Sequence, residues 1–166
     1  MKKTIYLAGG CFWGVQKYFD QFKGVTQTTV GSANGHAQHP TYQDVKSQES
    51  GHSETVKIDY DNEKITLEKL LDYFYRIIDP TSLNKQGEDE GASYRTGIYY
   101  IDDSDLEVIQ KVTSKIQESY DQPLVVEILP LDNFYDAEEY HQKYLNKNPT
   151  GYCHIPIHMF NLGEDK

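Results

Sequence analysis

The chain holds two cysteines, Cys11 and Cys153, and the first stands in a setting that a packing residue does not need. It follows Gly9 and Gly10 and is followed at once by Phe12, Trp13 and Gly14. Glycines permit unusual backbone angles and leave room above a sulfur for a substrate. Phe12 and Trp13, the sole tryptophan, offer a flat apolar wall. A strand, a glycine turn and a helix would put Cys11 near the first turn of that helix. Unpaired N–H groups and the positive end of the dipole there favour an anion and lower a thiol pKa. That is the setting of a reactive thiol beside an apolar pocket. The plainer reading makes Cys11 a small buried hydrophobe and Trp13 a core anchor.

Other residue types suit acid–base work only in combination. Glu54 opens a strand next to a long polar stretch, where a lone carboxylate is normally solvated. Tyr42 and Tyr94 are two of 14 tyrosines, and Asp89 sits in the acidic run Glu88-Asp89-Glu90. His36, His39 and His52 share one loop region, so a Cys–His hydrolase with Cys11 activated by His52 is a rival reading. His154 and His158 have the spacing of a helical metal pair, but Ile155-Pro156 between them argues against a helix and hence against a metal.

The elements that must position these residues follow from hydrophobic period and punctuation. Lys3 to Ala8 reads as a strand, Val15 to Lys23 as a helix closing on Gly24, and Val25 to Val30 as a strand. Gly31 to Ser53 has no clean period and reads as a long functional loop. Glu54 to Tyr60 is a strand, and Thr66 caps a helix whose apolar face runs from Leu70 to Ile78, ending before Pro80. Asp79 to Tyr94 is irregular, and Arg95 to Ile101 is a strand. Ser104 would cap a helix to about Tyr120, Leu124 to Leu129 is a strand, and Asp136 would cap a last helix from Ala137 to about Asn146. The order predicts an α/β (α+β) fold, a ferredoxin-like two-layer plait with helices packed on a mixed sheet.

Composition sets the outer limits. A length of 166 residues fits a single domain spanning 1–166, with an irregular tail from about 147. The net charge of -10, with no Lys/Arg block, argues against nucleic acid as a partner. Charge repulsion also disfavours self-association, so a monomer is expected. No apolar run reaches the roughly 18 residues of a membrane helix, and the apolar stretch after Lys3 is too short for a signal peptide. A cytoplasmic protein with no membrane partner is expected. There the two cysteines are free, reactive or transiently paired rather than a permanent bridge.

Gly10-Cys11-Phe12-Trp13-Gly14 resembles the signature of the peptide methionine sulfoxide reductase A family. HPTYQDV (39–45), SGHSETV (50–56), QGEDEGASYRTGIYY (86–100) and YLNKNPTGYC (144–153) resemble further blocks of that family in the same order. The resemblance implies reduction of the S epimer of methionine sulfoxide, free or in proteins, without metal or bound cofactor. It implies Cys11 as nucleophile, Phe12 and Trp13 as walls around the S-methyl group, and Tyr42, Glu54 and Tyr94 around the sulfoxide oxygen. Asp89 would orient the substrate. Cys153 would resolve a Cys11 sulfenic acid into a disulfide that thioredoxin reduces. The chemistry is consistent: a sulfoxide oxygen must gain protons as sulfur is attacked, and a desolvated neutral carboxyl can supply one.

Ser32, Glu88 and Glu90 stand where the family more often carries an aromatic residue, Asn and His. They are expected to tune the rim and leave the chemistry untouched. Beside the reductase and the hydrolase, a third reading is a redox-responsive binding module in which Cys11–Cys153 is only a switch.

Overall fold

The computed structural model describes residues 1–36, 38, 40–47, 50–87, 89–148, 151, 153, 155, 156, 158–160 and 162. His39, Glu88 and His154 lie outside them. Strand β1 (Lys2–Gly9) runs straight into helix α1 (Phe12–Asp20), which begins at Phe12 rather than Val15. Gly10 makes this possible: its φ of 88° lies where only glycine sits easily, and it turns strand into helix within two residues.

Strand β2 (Val25–Ala33) runs past the expected Val30. The supposed long loop contains a short helix, α2 (Tyr42–Lys46), closed by a capping box between Thr41 and Asp44. Among its described side chains only Val45 is buried, too little apolar surface to leave a period in the sequence. Strand β3 (Ser53–Asp61) and helix α3 (Leu67–Tyr75) follow, and Thr66 caps α3 as expected by accepting the Lys69 N–H at 3.1 Å. The irregular stretch after α3 holds a two-strand ribbon, β4 (Lys85–Gln86) with β5 (Asp89–Glu90), and a 3-10 turn over Ala92–Tyr94.

Strand β6 (Thr96–Tyr100), helix α4 (Asp105–Gln117) and strand β7 (Glu127–Pro130) come next. Ser104 precedes α4 but does not cap it with its side chain. Its hydroxyl donates to Asp102 Oδ1 at 2.7 Å instead.

The expected last helix, Ala137 to Asn146 with Asp136 as its cap, is not formed. Asp136 ends strand β8 (Phe134–Asp136), Glu139–His141 is a 3-10 turn, and helix α5 is only Tyr144–Lys147. The edge of β2 wins this segment. Ala137 N–H donates to the Val30 carbonyl at 3.0 Å. The Gln142 carboxamide accepts from Val30 N–H at 3.0 Å and donates to Val30 O at 2.9 Å. These bonds satisfy a sheet edge that a helix would leave open. Lys143 then sits at φ 57°, where no helix can pass.

Among the described residues the main sheet has six strands in the order β7-β6-β1-β3-β2-β8. All neighbours are antiparallel except β6 and β7. Alternation divides each strand between two faces. Ile5, Leu7, Val56 and Ile58 meet Val15, Phe19, Leu70 and Phe74 of the helices, whereas Tyr6, Ala8, Ala33 and Tyr99 form a smaller cluster with Leu131 and Phe134. The Tyr18 hydroxyl donates to the Tyr73 carbonyl at 2.7 Å, tying α1 to the end of α3. Among the described residues no helix is long and apolar enough to cross a membrane.

Candidate active site

Cys11 is the N-cap of α1 and only 4% exposed. The carboxyl of Glu54, on the helix-facing side of β3 and 1% exposed, reaches the same helix start. Its Oε1 accepts the Phe12 N–H at 3.2 Å, an N–H that no helical carbonyl can satisfy. Its Oε2 is buried with no hydrogen-bond partner among the described residues. Burial holds the Glu54 carboxyl up to about pH 8, against the opposing pull of the Phe12 N–H, with Asp89 pushing the same way as burial. Glu54 is therefore a neutral acid at pH 7, with an uncommitted oxygen beside a thiol.

The thiol departs from the sequence expectation. Burial, then the charge of Glu54, push Cys11 well above its ordinary pKa, although the Trp13 N–H donates to the sulfur and pulls the other way. The helix start alone suggests a lowered value, but desolvation outweighs the N–H groups here. Both sulfur and carboxyl rest in their protonated forms.

An aromatic box stands over this pair. Trp13 stacks on Tyr144 with ring centres 3.9 Å apart, and its indole N–H donates to His141 Nδ1 at 3.0 Å. Tyr42 lies 4.1 Å from the His141 ring and 6.1 Å from Phe12. Burial pushes the Tyr42 phenol up strongly, with the Glu54 charge adding to it, and the ring also lies within electrostatic reach of Cys11, Tyr94 and Asp89. It remains a proton donor throughout the neutral range.

Cys153 completes the cluster. It lies within electrostatic reach of Cys11 and Asp89. A Cβ built on Gly14 would come 2.6 Å from the Cys153 sulfur, so this glycine is what lets the second sulfur lie against the first turn of α1. Among the described residues, Cys11, Phe12, Trp13, Tyr42, Glu54 and Cys153 meet at one end of α1, with Asp89 and Tyr94 within electrostatic reach of them.

Residues 3–163 match the sequence family described as peptide methionine sulfoxide reductase. This chain belongs to the peptide methionine sulfoxide reductase family. It is 59% identical over 156 residues to the peptide methionine sulfoxide reductase MsrA of Clostridium acetobutylicum, covering 94% of this chain and 96% of that one. The fold is similar to Mxr1 from Saccharomyces cerevisiae in its reduced form. The TM-score is 0.87 at 38% identity, over 92% of this chain and 88% of that one. Mxr1 has also been solved in complex with Trx2, a structure that matches with a TM-score of 0.63 at 30% identity over 86% of this chain and 84% of that one.

Three residues at this family site escape the sequence reading. His141 and Tyr144 hold Trp13, and Glu138 accepts the Tyr42 N–H at 3.2 Å. All three fall in the segment read as one regular helix, which conceals a turn that points them inward. Nothing in the sequence brings His141 and Tyr144 to Trp13, because His141 stands 128 positions away and meets it only through the fold. Burial lowers the His141 pKa, so the ring stays neutral and accepts the indole proton.

Ser32 also needs correcting. It is 6% exposed and directly across the strand from Glu54, so this departure borders the acid rather than the rim. His52 is buried, and its Nδ1 accepts the Gly35 N–H at 3.2 Å. That nitrogen is committed to the Gly35 backbone and not to the Cys11 thiol, which counts against the hydrolase reading.

Proposed function

We propose that this chain reduces the S epimer of methionine sulfoxide, free or in proteins, through Cys11, Glu54 and Cys153, with thioredoxin restoring it. The observation that carries this reading is the uncommitted, buried Oε2 of Glu54, protonated up to about pH 8, beside the Cys11 thiol. The sulfur of Cys11 attacks the sulfoxide sulfur while Glu54 protonates the sulfoxide oxygen and recovers the thiol proton. Oxygen passes to Cys11 as a sulfenic acid, and the substrate leaves as methionine. Sulfoxide sulfur is reduced by two electrons and Cys11 is oxidised by two, so no metal or bound cofactor is required.

Tyr42 and Tyr94 donate to the oxygen as its charge grows. Phe12 and Trp13 take the S-methyl group, and Asp89 orients the polar part of the substrate. Cys153 then displaces hydroxide from the sulfenic acid, and an external dithiol reduces the resulting disulfide. Mxr1, solved in complex with Trx2, supports thioredoxin as that dithiol. The net charge of -10 and the sparse cysteines support a cytoplasmic monomer. The central order β6-β1-β3-β2, with α1 and α3 on one face, supports the ferredoxin-like plait as its core.

A coupled assay with thioredoxin, thioredoxin reductase and NADPH tests the reading on separated epimers of a methionine sulfoxide peptide. NADPH loss is expected with the S epimer and essentially none with R. Comparable rates on both, or none on either, would contradict it.

A further inference from the structure

One stripe of α1 carries the chain that follows Cys153. Gly14 lies against the Cys153 sulfur and the Ile155 side chain. Lys17, one turn further on and half-buried, holds its ammonium 5.0 Å from the centre of the Phe160 ring. Gln21, one turn further again, donates from its amide to the Met159 carbonyl at 2.8 Å. Positions 14, 17 and 21 share a helix face, so Cys153, Ile155, Met159 and Phe160 are strapped along it. A single cation–ring contact of this kind is weak.

We propose that Lys17 is a positioning residue for the resolving step: it docks the strap through Phe160 and presents a cation to the Cys153 sulfur, so that this sulfur attacks Cys11 as a thiolate. The inference rests on the roles given above to Cys11 and Cys153. In the step itself, Cys153 loses its proton and its sulfur attacks the sulfur of the Cys11 sulfenic acid. The S–O bond breaks, and hydroxide leaves with that proton as water. Cys153 is oxidised and the sulfenic sulfur reduced, with no outside reagent.

The charges facing Cys153 support this division of labour. Burial pushes the thiol up, the Ile155 N–H pulls it down, Lys17 pulls it down and Asp89 pushes it up. The Ile155 N–H donates to the sulfur at 3.4 Å, and among the described residues Cys11 is a further titratable group in reach. Lys17 is therefore the one cation acting on this sulfur among the described residues.

The test uses Lys17→Met, which keeps the aliphatic stem, and Lys17→Arg, which keeps the charge. Reduced enzyme is mixed with S-sulfoxide and quenched at intervals. Methionine release and the Cys11–Cys153 disulfide are measured separately across a range of pH. Lys17→Met is expected to release methionine at the wild-type rate and to close the disulfide about 3- to 10-fold more slowly at neutral pH. Its pH midpoint for closure should move upward, and Lys17→Arg should restore both. Closure in Lys17→Met with unchanged rate and midpoint overturns the inference. So does a slower closure with an unmoved midpoint that Arg does not rescue, since that reduces Lys17 to packing. Absence of methionine release in the wild type would instead overturn the reductase reading on which the inference rests.

Discussion

Cys11 and Cys153 are both pushed up by burial, yet the molecule holds them by different means. Cys11 lies between a central strand and the helix that strand feeds, and its acid comes from the neighbouring strand, so its surroundings are fixed by sheet and core together. Cys153 is held by a strap on one helix face, through a glycine contact, a cation–ring contact and an amide bond. Attack on a sulfoxide demands fixed geometry, and rigid elements provide it. Resolution and external reduction demand movement of Cys153, which is tied to one helix face and, through the buried Ile155, to the core, rather than set between strand and helix.

Removing the nucleophile should show the largest effect. Cys11→Ser is expected to abolish methionine release while leaving the fold intact, because a serine hydroxyl is far less ionisable and nucleophilic than a thiol. Quenched single-turnover assays check it. Measurable methionine from a folded Cys11→Ser protein would place the reaction elsewhere.

Glu54→Gln keeps the shape and loses the proton. Methionine release should slow by roughly 10²–10⁴-fold. In the wild type the same step should decline as pH rises through about 8, where Glu54 ionises. Stability gives an independent check. Because the folded pKa is raised from 4.5 to about 8, the favourable contribution of the protonated carboxyl is complete below pH 4.5 and lost as pH rises through 8. The Tm of the wild type should fall relative to Glu54→Gln across that window, and parallel Tm profiles would show that Glu54 is not a buried acid.

Smaller effects should separate the aromatic box from the strap. His141→Ala removes the acceptor of the indole N–H, and KM should rise about tenfold, the size of one hydrogen bond plus one ring contact. Trp13, as sole tryptophan, reports the change directly through a red-shifted emission. Unaltered emission would mean that His141 does not hold the indole. Gly14→Ala places a methyl where the Cys153 sulfur rests. Overpacking of about 1 kcal/mol should slow disulfide closure by a few-fold. Closure at the wild-type rate would show that the strap does not need this contact.

The sequence was most legible where local chemistry and tertiary structure agree. The glycine turn into α1 and the Thr66 cap of α3 are written in single residues, and the core periods of β1, β3 and α3 follow from burial on one face. The end of the chain was least legible. Ala137 to Asn146 has helical spacing, but an open β2 edge took its backbone bonds and a left-handed Lys143 broke the run. That one misreading concealed Glu138, His141 and Tyr144. The Cys11 pKa failed for a related reason: a helix start can be read from a sequence, whereas the depth of burial that outweighs it depends on strands and loops far along the chain.

The division between the two sulfurs is tested most directly by the mass of Cys153→Ser after one exposure to S-sulfoxide without reductant. The expected result is one methionine released per enzyme and a single added oxygen on Cys11, with no recycling by thioredoxin. An unmodified Cys11 with no methionine released, or full thioredoxin-supported turnover by this variant, would contradict it.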